Sequence, residues 1–330
     1  MSDNENLVGR IEKVRQSQLF SDELQSQVAP EKTHKLLPVR HVNRDFFLCD
    51  LFDYKLKDDM TTMEAPVFSL STKPDLTEWR WESDDKTRWV EVIPSVRGRA
   101  TQFDKDVLIY ITSQMTEALN RKREDANSRV VRFTAFDYLI ATNKPTGGAE
   151  YDRLEKALAR LKGTMINTNI KIEDGGETRE EKRGFGLIED WGIITKSQSN
   201  KRMIEVEITV SKWLHNAIKG FDVLTIHPDY FRLRKPLERR LYELAKKHCG
   251  HQATWTIGLE LLQSKCGSKA TTKEFKRTLN DIIHAETIPE YRLTVNDRNQ
   301  VVFYTKDEKK LAAAIVKSTS LYHPPQDNEG

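Results

Sequence analysis

Apolar positions along the chain recur at helical and strand spacings in an order that appears twice. From Pro236 to His248, Leu237, Leu241, Leu244, Ala245 and His248 fall three and four apart, which predicts a helix with one apolar stripe, stopped by Gly250. A strand-like run from Ala253 to Trp255 follows. Thr256 is placed to cap a short helix that carries Leu259, Leu261 and Leu262 and ends at Cys266-Gly267. Thr271 or Thr272 then starts a third helix, with Phe275, Leu279, Ile282 and Ile283 on its inner face. Tyr291 to Val295 and Val301 to Thr305 alternate as the arms of a hairpin around Asn296-Asp297-Arg298-Asn299. Helix, strand, two helices and hairpin, in that order, form a winged helix, a DNA-reading module.

The same order occurs upstream. A long helix is predicted from Phe103 to about Arg123, then a strand from Val130 to Phe133 and Thr134 as the cap of a helix carrying Phe136, Leu139 and Ile140. Lys144-Pro145-Thr146-Gly147-Gly148 makes a turn, and an outer helix from Glu150 to Lys162 turns Tyr151, Leu154, Leu158 and Leu161 inward. Leu154 and Phe275, Leu158 and Leu279, and Leu161 and Ile282 are each 121 positions apart, and the caps Thr134 and Thr256 are 122 apart. Matched cap, turn and stripe indicate a duplicated unit. The first hairpin is predicted as Met165 to Ile172, a polar tip from Glu173 to Arg183, and a return from Phe185 to about Ile193. Met203 to Val210 adds a strand and Ser211 opens a short helix through Ile218.

Ahead of these units, Val67 to Leu70, Thr77 to Trp81 and Arg88 to Ile93 read as a small antiparallel sheet, with Trp79, Trp81 and Trp89 as core or sheet-face residues rather than base-stacking ones. The predicted class is α+β, two tandem winged helices, the first with an added antiparallel sheet. The divisions are a mobile arm at 1–35, a first domain at 36–219, a second at 220–310 with the joint near Gly220, and a polar tail at 311–330.

Charge changes this picture only locally. The 53 basic and 50 acidic residues leave +3, so a nucleic-acid partner must be met by basic faces rather than by overall charge. Such a face is predicted on the third helix of the second unit. Lys273, Lys276, Arg277 and Asn280 lie outward there, led by Lys269, Thr271 and Thr272, with Arg298 and Asn299 at the hairpin tip. Arg153, Lys156 and Arg160 form the corresponding set in the first unit.

Three cysteines in no repeating pair point to a reduced, cytoplasmic chain, and no apolar run has the length of a membrane span. The sequence holds no Gly-rich nucleotide loop and no His-x-His metal pair beside a Tyr. His248, Cys249, His251 and Cys266 do not follow a zinc spacing, and Asp84-Asp85 and Glu180-Glu181 read as solvated charge. The expectation is a binding protein with no catalytic residues, metal or cofactor.

The runs PVFSLSTKPD from Pro66, EVIPSVRGRATQFDKDVLIYITSQM from Glu91 and FRLRKPLERRLYELAKKHCG from Phe231 resemble the plasmid replication initiator protein A family, with the likeness extending from about Ala65 to Thr305. The resemblance implies binding to a plasmid origin. More distantly, the doubled module looks like the iteron-binding initiators. That likeness implies repeated origin sequences as the double-stranded DNA partner, a homodimer that represses its own gene, and contacts with the host initiator and helicase. Rival readings are a transcriptional regulator without initiator activity, a nicking enzyme, and a protein-binding scaffold.

Overall fold

The computed structural model describes residues 35–41, 55–83, 85–169, 182–195, 203–250 and 252–320. The expectations for the arm at 1–34, for the last ten residues, and for Asp84, Glu180-Glu181 and His251 lie outside these residues. In chain order the elements are β1 (Lys57–Asp59), α1 (Met60–Glu64), β2 (Trp79–Glu82), β3 (Trp89–Ile93), α2 (Lys105–Asn120), β4 (Val130–Thr134), α3 (Ala135–Ala141), α4 (Gly148–Gly163), β5 (Met165–Thr168), β6 (Arg183–Gly186), β7 (Ile188–Thr195) and β8 (Met203–Val210). They continue with α5 (Lys212–Lys219), β9 (Val223–Thr225), α6 (Pro236–His248), β10 (Thr254–Gly258), α7 (Leu259–Cys266), α8 (Thr272–Ala285), β11 (Tyr291–Val295), β12 (Gln300–Thr305) and α9 (Glu308–Ser320).

Two hydrophobic cores result. The first is walled by the sheets β2-β3-β5-β6 and β4-β8-β7 and filled by α2, α3, α4 and α5. The second lies among α6, α7, α8 and the sheet β10-β12-β11. The order α2-β4-α3-α4-β7-β8 is repeated by α6-β10-α7-α8-β11-β12, and in both units the first strand pairs with the last, so the hairpin closes over the helices in the same way. The predicted inner stripes of α4 and α8 are met by Leu154, Leu158 and Leu161 and by Phe275, Leu279 and Ile282, all at most 2% exposed, with Tyr151 and Ile283 half-buried, whereas Phe136, expected on the apolar side of α3, is 45% exposed. Each buried side chain of these stripes contributes roughly 1.5–3 kcal/mol by leaving water.

Several boundaries differ from the sequence reading. Thr256 does not cap: it pairs with Val302 inside β10, and Gly258 is the cap residue of α7, because the alternating run continues as a strand for as long as β12 offers partners. The first hairpin is β7 with β8, whereas Met165–Thr168 and Arg183–Gly186 pair with each other in the four-stranded sheet. The chain changes sheets at buried Leu187, next to Gly186, where a Cβ would lie 3.0 Å from the Ile188 carbonyl. Val67 to Leu70 makes only one bridge, Ser69 to Thr101, and is not a strand. The segment read as the start of a polar tail continues as helix: Asp307 accepts from the amides of Lys309 and Lys310 at 3.0 and 3.1 Å and opens α9 through the helix-favouring LAAAIV run.

The joint after Gly220 is not a free linker. Immediately beyond it β9 pairs with β1, and Leu56, Met63 and Ile109 belong to the second core although they precede the joint. Between the cores lies a buried charge network. Lys105 sits 2.7 Å from Asp58 and 3.1 Å from Glu243, and Glu243 also accepts from Tyr230 at 2.7 Å, from Arg240 at 3.2 Å and from Gln102. Burial lowers the Lys105 pKa, but Asp58 and Glu243 more than offset this and hold it above the ordinary lysine value. Arg239 pairs with Asp106, which also takes Lys144 at 2.5 Å, and Arg240 donates to the carbonyls of Thr62, Met63, Glu64 and Lys265. All three runs on which the family resemblance rests supply residues to this seam or its rim.

At its edge, Glu64 joins Lys247 and Lys265 at 3.1 and 2.5 Å, and Asp75 joins Arg99 and Lys269 at 3.3 and 2.8 Å. Burial pushes both carboxyls up. It is outweighed by hydrogen bonds and cations, from His248, Lys247 and Lys265 on Glu64 and from Lys269, Ser69, Thr77 and Arg99 on Asp75, which hold both well below the usual carboxylate range. A folded-state pKa below the unfolded one gives stability that is present above the unfolded value and lost as pH falls toward the folded one. Denaturant midpoints measured against pH are therefore expected to fall below about pH 4, and Glu64→Gln is expected to flatten that fall.

Candidate nucleic-acid interface

Helix α8 is set by its cap. Thr271 accepts from the Glu274 amide at 3.3 Å while Glu274 accepts from the Thr271 amide at 3.1 Å, a reciprocal pair that fixes the first turn. With Phe275, Leu279 and Ile282 buried, helical spacing leaves Lys273, Lys276, Arg277 and Asn280 on the opposite side. Lys273 and Arg277 are exposed and make no ion pair among the described residues. Lys276 donates to the Asn299 side chain at 2.6 Å, so the helix face and the hairpin tip form one surface.

That tip is preorganised. Asn296 Oδ1 accepts from the amides of Arg298 and Gln300 at 3.1 and 2.9 Å, and Asn299 holds a left-handed φ of 55°, which Asn tolerates better than most residues. Arg298 is exposed beside it. Six predicted residues, Lys273, Lys276, Arg277, Asn280, Arg298 and Asn299, are thus carried by a single helix face and the tip joined to it. Thr272 is exposed at the first turn, whereas the Thr271 hydroxyl is occupied by its cap.

Lys269 lies elsewhere. It bonds Asp75 at 2.8 Å and also Thr77, tying the turn before α8 to the first unit. In that turn Gly267 adopts φ +69° with its Cα against Pro66, where an added Cβ would meet the proline ring at 2.7 Å.

The corresponding face of the first unit is different. Arg160, expected to point outward, makes two 2.7 Å bonds to Asp104 at the start of α2, and its side chain is 22% exposed. It braces α4 against α2, because Asp104 in the first core's wall needs a cation. Arg153 is exposed but paired with Glu150, and Lys162, Arg129 and Arg132 are held by Asp190, Glu189 and Glu207. Lys156 is exposed with no ion pair among the described residues. Among the described residues, Lys273, Arg277 and Arg298 on the second unit's face thus make no ion pair, whereas on the corresponding face of the first unit Arg153 and Arg160 are paired and Lys156 is not.

Cys249 and Cys266 lie buried in the second core rather than at this surface. Burial pushes the Cys249 and Cys266 thiols up to about 12, and no group of three His, Cys, Asp or Glu suited to a metal occurs among the described residues. His248 stacks on Trp255 at 4.2 Å and faces Glu64. Trp81 is buried, Trp79 packs against the first core, and Trp89 lies under the Arg80 guanidinium at 4.7 Å. Among the described residues no helix is long and apolar enough to cross a membrane.

The model of the replication initiator protein A family matches residues 57–293. A protein of Wigglesworthia glossinidia brevipalpis described as "Putative replication protein" is 33% identical over 269 residues, covering 80% of this chain and 94% of that one. Among solved structures, the crystal structure of domains 2 and 3 of RctB aligns with a TM-score of 0.54 at 11% identity, covering 76% of this chain and 99% of that one. A second structure of the same RctB domains aligns at 0.51 over 77% of this chain and 99% of that one. At that identity the likeness is one of mixed helix and sheet fold. The chain belongs to the replication initiator protein A family.

Proposed function

We propose that this chain starts plasmid replication as a non-enzymatic protein that binds specific double-stranded DNA through two winged-helix units. Helix α8 enters the major groove with Lys273, Lys276, Arg277 and Asn280 toward base edges, and Arg298 reaches the adjacent backbone or minor groove. Helix α4 follows the neighbouring groove through Lys156 and Arg153, and its contribution is the smaller because acids hold most of its cations. The observation that supports this reading most is the exposed, unpaired basic face of α8 joined to its hairpin tip by the Lys276–Asn299 bond.

The seam makes the spacing of the two helices a property of the fold, so both meet one duplex in a single geometry and the second contact forms at high effective concentration. Family membership supports a replication origin as the target, and the more distant likeness to iteron-binding initiators supports repeated sites within it. Recruitment of the host initiator and helicase, and repression of its own gene by a dimer, complete the proposal.

The test is replicon maintenance. A plasmid whose sole replication gene is this one, with its flanking DNA, is expected to persist in a host. A chain that binds that DNA yet maintains no plasmid is a regulator instead. Nicked product from supercoiled origin DNA with purified protein and Mg²⁺ contradicts the non-enzymatic part of the reading.

A further inference from the structure

Between the start of α8 and the end of α4 lie two loops, residues 71–78 and 94–98, that are laced together. Gly98, at φ +90°, fits against Pro74 and Asp75, where a Cβ would lie 2.9 Å from the Asp75 nitrogen, and the Arg99 amide donates to the Asp75 carbonyl at 2.8 Å. The second loop is closed by the Gly98 amide on the Ser95 carbonyl at 2.9 Å. Its Ser95 hydroxyl donates to the Gly98 carbonyl and accepts from the Arg97 amide, each at 3.1 Å. On one side Ser95 packs on Gly163, the last residue of α4, so closely that a Cβ there would meet it at 2.6 Å. On the other, Lys269, just ahead of the α8 cap, holds Asp75 and Thr77.

Each rigid loop ends in a bare apolar side chain: Leu76 is 62% exposed and Val96 97% exposed. Neither belongs to a core. Their loops carry the exposed cations Lys73 and Arg97, with Lys269 alongside, while Asp75 is neutralised by Arg99 and Lys269 and Glu78 is the exposed acid at the rim. A held apolar tip with flanking cations, placed between two helices that follow a duplex, fits the minor groove lying between their stretches of major groove.

We propose that this double loop is a third DNA contact. Leu76 and Val96 enter the minor groove and wedge a base step apart, with Lys73 and Arg97 on the flanking phosphates, so that the duplex kinks where the protein sits. Side chains of this kind partly unstack a step and bend the helix axis, most readily at pyrimidine–purine steps. The inference rests on the reading of α8 as a groove-binding helix.

The experiment compares wild type with the Leu76→Ser, Val96→Ser double variant on duplexes that contain the repeats flanking this gene. Bending is read by circularly permuted gel mobility, and unstacking by 2-aminopurine fluorescence along the site. Wild type is expected to bend the DNA and raise fluorescence at one step. The double variant is expected to bind about tenfold more weakly and to do neither. Both positions are exposed, so unfolding midpoints should match, and Val96→Ala alone gives the same comparison if the double variant misfolds. Equal bending by the variant, or binding of straight, fully stacked DNA by wild type, overturns the wedge. A wild type that binds none of these duplexes overturns the functional reading itself.

Discussion

Replacing Lys276 and Arg277 together by Ala is expected to lower affinity for the origin repeats by roughly thirtyfold to twenty-thousandfold, since two base contacts are worth about 1 to 3 kcal/mol each. The fold should not change. Both residues lie opposite the buried stripe of Phe275, Leu279 and Ile282, and the one bond lost, from Lys276 to Asn299, is at the surface. A titration of labelled duplex alongside a urea unfolding curve separates the effects. The loss should be far larger on the repeats than on unrelated duplex, because phosphate contacts are felt on any sequence whereas base contacts are felt only on the right one. Origin affinity unchanged in a correctly folded variant removes α8 from the account.

The second large effect is on stability. Glu243→Leu leaves Lys105 and Arg240, side chains 0% and 2% exposed, as buried cations with their shared partner gone. Removing one partner of a buried pair costs about 3 to 5 kcal/mol, a large share of the roughly 5 to 15 kcal/mol that holds a typical protein together. Because Glu243 also holds Gln102 and Lys105 across the seam, the loss is expected to loosen one unit from the other as well as to lower the midpoint. A Glu243→Leu protein that unfolds at the wild-type urea midpoint shows that the seam does not carry this energy.

Much of this architecture was legible from periodicity. The stripes of α4 and α8, the turn with Gly147 and the hairpin around Asn296 follow from spacing and turn chemistry alone. The Thr134 cap does too, since its hydroxyl accepts from the Asp137 amide at 3.1 Å. Thr256 misled because capping propensity and strand propensity coincide in threonine, and the partner strand that decided between them lies more than forty residues away. The split at Leu187 was hidden for a similar reason, as one apolar run serves two sheets.

At the site, residues exposed on α8 and at the hairpin tip were readable because their inner neighbours fix the helix phase. Arg160 and Lys269 were not, because a sequence shows a cation without its distant acid: Asp104 and Asp75 lie far from them along the chain. The seam was illegible on the same ground. Arg239, Arg240 and Glu243 look like the wet side of an amphipathic helix, yet all are at most 2% exposed, since α6 is covered by α1 and the start of α2.

Hydroxyl-radical footprinting of wild type and the Lys276→Ala, Arg277→Ala variant on the DNA flanking this gene bears most directly on the claim that α8 and its hairpin tip read an origin. The account predicts regularly repeated protections for wild type and none for the folded variant at the same concentration. Protection of the same repeats by the variant, or a wild type that protects nothing, contradicts it.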